Sequence, residues 1–140
     1  MAQVEYLHLC DYAFSGEGGK QCVIGIFDAI TAQTFPAVHP HMSIALRLRG
    51  QAHELLVIKI ELGRPNGEIL ATMQGEVTVG ADGGAFMNVN LINVQFPEPG
   101  RYTVKIAAGG ETLVSHSIQL REAQATLQSA PPGASPKKFH

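Results

Sequence analysis

Charged residues are scarce in this chain. They make up 16% of its 140 residues, against about 25% in an average soluble domain. Ten Lys and Arg stand against twelve Asp and Glu, which leaves a formal net charge of −2. Surfaces that bind nucleic acid, and polybasic anchors that bind membranes, depend on clustered positive charge. We therefore expect neither nucleic acid nor a membrane as a partner.

Long apolar runs are missing and cysteines are few. No stretch approaches the roughly 20 apolar residues of a membrane-spanning helix, and Met1–Tyr6 lacks the basic and apolar segments of a signal peptide. These absences predict a cytoplasmic protein. In that compartment the two cysteines, Cys10 and Cys22, are expected to stay thiols.

The composition of the chain changes near residue 123. From 123 to 140 the sequence is rich in Pro, Ala and Ser and has few large apolar side chains, too few to offset the entropy cost of ordering. We predict a β domain over 1–122 and a flexible C-terminal tail over 123–140. Lys137, Lys138 and Phe139 near its end are interpreted as solvated rather than docking residues.

Apolar residues recur at every second position in most of the first 122 residues. In the best example, Met42, Ile44, Leu46 and Leu48 alternate with the polar or small residues of 43–49, as in a strand with one buried and one solvated face. No window shows a helical period. About eight short strands separated by turns predict an all-β fold, an antiparallel β-sandwich of immunoglobulin-like character, and a partly closed β-barrel remains the alternative.

One segment does not alternate. Cys22–Phe27 is apolar throughout, which predicts a central strand covered on both faces. We expect it to pair with Val4–Phe14 across the Gly-rich turn Ser15–Gly19. A phase change at Leu91–Ile92 predicts a β-bulge.

Two turns predict strand register. The turn Arg64–Gly67 keeps apolar partners on one face if its strands pair in a particular way: Ile60 with Ile69, Ile58 with Ala71 and Leu56 with Met73. For the next hairpin, a three-residue loop Gly109–Glu111 sets Val104 opposite His116 and Ile106 opposite Val114. A loop of Gly109 and Gly110 alone would put Ser115 on the core face.

The segment Phe96–Tyr102 (Phe-Pro-Glu-Pro-Gly-Arg-Tyr) resembles the start of a late strand in immunoglobulin-like modules. The resemblance implies that Tyr102 packs inward and hydrogen-bonds to the loop before it. The Cys…Trp…Cys framework of antibody domains is absent, since the sequence contains no Trp.

A wider resemblance covers most of the first 122 residues. Four segments are similar to a bacterial domain family of unknown function: Gly19–Asp28, Phe35–Pro40, Pro65–Gly67 and Pro97–Tyr102. The resemblance implies a small all-β domain with no assigned activity or cofactor.

His39 and His41 flank Pro40, and two imidazoles at this spacing can point the same way from an extended segment. With Asp28 or Asp11 they would offer a metal three ligands, but nothing in the sequence brings the third one close. In the alternative interpretation, the histidines form hydrogen bonds at the ends of a proline-stiffened loop. We predict no metal and no cofactor.

Other candidate groups have simpler structural interpretations. Cys10 with His8 or His116 resembles a nucleophile pair, but the adjacent Asp11 would raise the thiol pKa. His116 interrupts an apolar row and is interpreted as a buried polar group. We interpret Asn88, Asn90 and Asn93 as solvent-facing amides rather than a sugar platform, and Gly16–Lys20 lacks the spacing of a phosphate-binding loop.

These patterns favour a non-enzymatic protein-interaction domain that can self-associate as a homodimer. Low charge and the outward apolar positions Leu55, Val57 and Leu113 predict a partly apolar surface that an oligomer or a protein partner would cover. The alternative is a small metal-dependent or ligand-binding protein that uses Asp28, His39 and His41. A component of a larger bacterial assembly, tethered by the tail, is a third hypothesis.

Overall fold

The computed structural model describes residues 2–123, which form nine β-strands joined by short connections. The strands are β1 (Gln3–Ser15), β2 (Gln21–Ile26), β3 (Ala29–Ala32), β4 (Ala37–Arg49), β5 (Leu55–Gly63), β6 (Ile69–Thr78), β7 (Gly84–Phe96), β8 (Gly100–Ala108) and β9 (Glu111–Glu122). A 3-10 turn, Glu17–Gly19, joins β1 to β2. The prediction of a flexible tail, with Lys137, Lys138 and Phe139, lies outside the described residues apart from Ala123.

The strands form two sheets. One has the order β2-β1-β4-β7 and the other the order β3-β9-β8-β5-β6. In the first sheet β4 pairs with β7, as strand B pairs with strand E in immunoglobulin domains. In the second sheet β5, β8 and β9 are neighbours in that order, as strands C, F and G are. This confirms the predicted all-β, immunoglobulin-like sandwich. One pair, β3 with β9, is parallel, so the sandwich is not purely antiparallel.

The hydrophobic core lies between the two sheets. Alternate residues of β4, Met42 to Leu48, are buried there as predicted, and they face the apolar rows of β5, β8 and β9. The phenol ring of Tyr102 is fully buried and meets the ring of Phe96 edge-on, with 5.0 Å between centroids. The expectation that Tyr102 packs inward is confirmed.

The β1–β2 hairpin folds over the outer face of the first sheet. We call the segment Cys10–Ile26 the hairpin arm. Near its turn, the Gln21 side-chain amide donates hydrogen bonds to Asn88 Oδ1 at 2.7 Å and to the carbonyl oxygen of Leu46 at 3.3 Å. Ala13 of the arm packs against Ala45 in a small buried cluster with Cys10. The outer face of the first sheet is therefore partly covered.

This covering explains two differences from the prediction. Ser43 and Ala45 lie on the face of β4 that the alternation assigned to solvent, yet both are fully buried beneath the arm. The apolar run Cys22–Phe27 was predicted to be a central strand, and that was wrong: within residues 2–123, β2 pairs with β1 alone and forms an edge of its sheet. Cys22–Phe27 does pair with β1, as expected.

The β5–β6 hairpin has a different register from the predicted one. Ile60 lies opposite Met73, four residues beyond the predicted partner Ile69. The turn is longer than expected, because the Arg64 N–H donates to the carbonyl oxygen of Glu68 at 2.7 Å. A shift of four residues leaves every side chain on its face, so the buried row is unchanged.

The β8–β9 hairpin has the predicted register but not the predicted loop. Val104 lies opposite His116 and Ile106 opposite Val114. The loop itself contains only Gly109 and Gly110, since Ala108 lies opposite Glu111. An irregularity in β9 that leaves Leu113 without a partner restores the predicted register.

The predicted bulge in β7 is absent, although the phase change is present. The pairing of β4 with β7 keeps one register from Ala37–Phe96 to Arg49–Gly84. The residues between the pairs His39–Val94 and His41–Ile92 are Pro40 and Asn93, and Asn93 has a φ of 51°. At this point the inward-facing positions shift by one residue in both strands. The change of face therefore occurs without the extra residue of a β-bulge.

Candidate functional site

The outer face of the hairpin arm is apolar and exposed to solvent. Tyr12, Phe14, Ile24 and Ile26 expose 54, 46, 53 and 60% of their surface. Their neighbours Ala13 and Val23 point the other way, toward the sheet. Most half-exposed β-hairpins carry polar residues on the solvent side, so this face is unusual.

The apolar surface continues across the sheet to β7. Tyr12 lies opposite Ile24 in the arm, and its ring stacks on the His41 imidazole at 4.9 Å between centroids. His41 in turn lies opposite Ile92, which is 62% exposed. We call Tyr12, Phe14, Ile24, Ile26 and Ile92 the apolar patch.

The arm that carries the patch is fixed to the sheet. Besides its two donated bonds, Gln21 accepts a hydrogen bond from the Tyr6 hydroxyl through Oε1 at 2.5 Å. At the other end of the arm, the Phe27 N–H donates to the carbonyl oxygen of Leu9 at 2.8 Å. His41 Nδ1 lies 2.8 Å from the carbonyl oxygen of Asp11. The patch is therefore held in place before any partner binds.

Asp28, His39 and His41 are not brought together as ligands. His41 faces Tyr12, whereas His39 packs against the Phe27 ring at 5.9 Å between centroids. Asp11 and His39 line one shallow depression and Asp28 lines another. Within residues 2–123, no three His, Cys, Asp or Glu side chains form a group that could hold a metal ion.

Cys10 is not paired with a base. Its thiol is fully buried and lies 3.6 Å from the carbonyl oxygen of Ser43, to which it can donate a hydrogen bond. Burial raises the pKa of the Cys10 thiol, and the Asp11 carboxylate raises it further. This confirms the predicted effect of Asp11. Cys10 and Cys22 are both free thiols.

His8 and His116 line a small cavity with Asp28. The cavity has a volume of about 210 Å³ and lies between β1, the β2–β3 connection and β9. His116 is half-buried opposite Val104, near the edge of the core, and His8 stacks on Tyr6. The two imidazoles and the carboxylate are part of no metal-holding group among the described residues.

Two of the three predicted surface amides serve the structure. Asn88 accepts the hydrogen bond from Gln21 and so lies beneath the arm. Asn90 accepts a hydrogen bond of 2.7 Å from the buried hydroxyl of Ser43. Asn93 is exposed at the phase change of β7. The solvent-facing interpretation therefore holds for Asn93 and is incomplete for the other two.

The predicted outward apolar residues lie on the second sheet. Leu55 and Val57 expose 56 and 40% of their surface on the outer face of β5, and Leu113 is half-buried. Sequence reasoning thus found one exposed apolar surface and missed the larger one. The signal for it was the turn after Phe14, which joins β1 and β2 into a hairpin.

The family model described as "Family of unknown function (DUF6941)" matches residues 5–121. The chain belongs to this family. The resemblance to a family of unknown function is thereby confirmed, and it supplies no activity. No curated protein matches this DUF6941 domain in sequence. Among its described residues, 2–123, there is no helix of the length and hydropathy needed to cross a bilayer.

Segments of larger proteins of known structure are similar to this domain. The alkylpurine DNA glycosylase AlkC of Pseudomonas fluorescens, solved with DNA containing an abasic site analog, is 15% identical, with a TM-score of 0.53, and the match covers 86% of this domain and 30% of that chain. A β-glucosidase from Listeria innocua is 12% identical, with a TM-score of 0.47 and coverage of 86% and 16%. The DUF6941 domain thus spans less than a third of either chain.

A third match has a length similar to that of this domain. An immunoglobulin-like protein from Pseudomonas aeruginosa is 11% identical, with a TM-score of 0.44, and the match covers 86% of this domain and 97% of that chain. At these identities the likeness concerns the fold alone.

Proposed function

We propose that this DUF6941 domain is a non-enzymatic protein-interaction domain and that the apolar patch is its docking surface. The observation that carries the proposal is the row of side chains from Ile92 through His41 and Tyr12 to Ile24, exposed on the outside of the sheet. None of the five residues of the patch is charged.

The size of the patch supports this proposal. A large side chain that is half exposed leaves roughly 100 Å² of its surface in water, so the five residues together expose on the order of 500 Å². The largest apolar patch on a typical monomer measures about 300–600 Å² and often has a function, usually the binding of another protein or a ligand. Single apolar residues scattered over a surface do not form a continuous patch of this size.

The rigidity of the arm supports it as well. Gln21 ties the turn end of the arm to Leu46 and Asn88, and the Phe27 N–H ties the other end to Leu9. A surface fixed in its binding conformation loses less entropy on association than a flexible loop does. Tyr12 and Phe14 are therefore held in place on the surface, and aromatic residues of this kind are enriched at the centre of protein interfaces.

A catalytic function has less support. The candidate groups Cys10, His39 and His41 lie in different surroundings, and the thiol of Cys10 is buried. Enzyme sites need convergent polar groups in a concave pocket. The DUF6941 domain offers instead an exposed apolar patch without charged residues, which suits another protein surface.

The experiment is an affinity capture with the purified domain as bait in a lysate of its own organism. The wild-type domain and a Leu55→Lys variant should retain the same proteins, because Leu55 is an exposed apolar residue of the other sheet. An Ile24→Lys variant, folded by circular dichroism, should lose them. Retention of the same proteins by all three contradicts the proposal, and so does retention of no protein, a second copy of this chain included, by any of them.

A further inference from the structure

We infer that the partner covering the apolar patch is a second copy of this domain, packed arm against arm about a two-fold axis. This inference rests on the proposed function and names the partner of the same surface. In such a dimer each copy contributes the same residues, and Tyr12, Phe14 and Ile24 of one copy lie against the arm of the other.

The area of the patch is sufficient for a dimer. Two copies that cover each other bury on the order of 1,000 Å² in total, counted at roughly 500 Å² each, which is close to the lower limit for a specific interface. The apolar character fits as well, because interfaces between identical subunits are more apolar than those between different proteins. The patch has two aromatic and three isoleucine side chains and no charged one.

The distribution of charge favours identical partners. Two copies of a charged surface repel each other, but the uncharged patch brings no like charges into contact. The charges lie at the two ends of the arm: Glu17 and Lys20 near the turn, and Asp11 and Asp28 near the other end, all exposed. The turn end is thus neutral and the opposite end carries two negative charges.

This distribution also sets the orientation of the dimer. If the two arms run antiparallel, the acidic end of each copy lies beside the neutral turn of the other. The length of β2, six residues, then separates the two acidic ends by about 20 Å, which is twice the Debye length of roughly 10 Å at moderate salt. A parallel arrangement would place the four aspartates together.

Another apolar surface has no such argument. A groove of about 440 Å³ adjoins the patch at Ile92 and runs between β6 and β7, which are edge strands among the described residues; Leu70, Met73, Leu91 and Val94 also line it. Nothing in the structure indicates what would cover it. For the hairpin arm, the estimated area and the charge distribution both favour a second copy, so the inference is restricted to it.

Sedimentation equilibrium over a concentration series tests the inference. Wild-type protein and Leu55→Lys should show a species of twice 15.0 kDa with the same dissociation constant. Ile24→Lys should raise that constant at least about a hundredfold, because the substitution occurs twice in a symmetric dimer and places two charges at its centre. A wild-type protein that stays monomeric, or an Ile24→Lys variant that dimerises normally, overturns the inference.

The capture experiment separates the two proposals. If wild-type protein is monomeric but Ile24→Lys abolishes capture of another protein, the interaction domain stands and the second copy is wrong. If wild-type protein is monomeric and capture is unaffected by Ile24→Lys, both are wrong. Dimerisation that depends on Ile24 supports both.

Cross-linking tests the orientation. Cys22 is partly exposed near Phe14, whereas Cys10 is buried, so a short bis-maleimide reacts at Cys22 alone. In antiparallel arms Cys22 lies across from Ile26 of the second copy. The Ile26→Cys variant should therefore cross-link as a dimer and wild-type protein should not. Efficient cross-linking of wild-type protein indicates parallel arms and overturns the proposed orientation.

Discussion

The hydroxyl of Tyr102 and the backbone of Glu98 form a closed pair of hydrogen bonds. Tyr102 Oη donates a hydrogen bond to the carbonyl oxygen of Glu98 at 2.7 Å. The Glu98 N–H in turn donates to Tyr102 Oη at 3.1 Å. The Glu98 carboxylate accepts a further bond of 2.8 Å from Arg64. The bond from the phenol to the preceding backbone corresponds to the tyrosine corner of immunoglobulin domains, and the Glu98 side chain joins this corner to the β5–β6 turn.

We predict that Tyr102→Phe destabilises the domain by about 1–3 kcal/mol, because it leaves the partly buried N–H and carbonyl of Glu98 without the phenol oxygen as their partner. Urea unfolding followed by circular dichroism measures the change. Tyr12→Phe is the matched control. Because Tyr12 is half exposed, removal of its hydroxyl should change the free energy of unfolding by no more than about 0.5 kcal/mol. Equal effects of the two substitutions would show that the corner contributes nothing.

The stabilisation by Tyr102 should depend on pH. Burial raises the pKa of the Tyr102 phenol above its ordinary value of 10.0, so the folded domain holds this proton more tightly than the unfolded chain does. The contribution is fully present below pH 10.0 and is lost as the pH rises through the folded-state pKa. The stability difference between wild type and Tyr102→Phe should therefore shrink in alkaline solution. A difference that grows above pH 10.0 would contradict this.

Local patterns allowed much of this fold to be predicted. The tyrosine corner is encoded within seven residues, Phe96–Tyr102, and the buried row of β4 follows from strict alternation. In both cases the residues that determine the structure are neighbours in sequence. The side chain of Tyr102 reaches its partner Glu98 without any long-range information.

Long-range contacts were not predictable in the same way. The burial of Ser43 and Ala45 depends on Ala13, more than 25 positions away, and on the folding of the arm over the sheet. A continuous apolar run such as Cys22–Phe27 is compatible both with a central strand and with an edge strand that can pair with another chain, so the pattern does not distinguish the two. Ile24 and Ile26 of the exposed patch were therefore predicted to be covered.

The arm should loosen when its turn is released. We predict that Gln21→Ala destabilises the domain by about 1–2 kcal/mol and speeds hydrogen exchange in the arm, because the hydrogen bonds to Asn88, Tyr6 and Leu46 are lost. Gln95→Ala is the control, an exposed amide on β7. Exchange measured by mass spectrometry should rise in the arm and not in β8. Unchanged exchange in the arm would mean that Gln21 does not hold it.

Gly25 is a sterically restricted position of the arm. Its φ is 73°, and a Cβ there would collide with the Asp11 carboxylate. We predict that Gly25→Ala costs more stability than Gly67→Ala, where φ is 93° and no atom lies within 4 Å of the added Cβ. Both substitutions carry backbone strain of about 1–3 kcal/mol, but only Gly25→Ala adds a clash. The excess cost should fall when Asp11→Ala is combined with Gly25→Ala, and an excess that persists would contradict this explanation.

The two cysteines report whether the arm opens. We predict that iodoacetamide modifies Cys22 in the native domain and leaves Cys10 unmodified, because Cys10 is fully buried with Ala13 and Ala45 and burial raises its thiol pKa. Mass spectrometry should find one adduct on the native protein and two after denaturation. In Gln21→Ala, where the arm is less firmly held, Cys10 should react faster than in wild type, while Gln95→Ala should leave it unchanged. If Cys10 reacts as fast as Cys22 in the wild-type domain, Cys10 is not buried in solution.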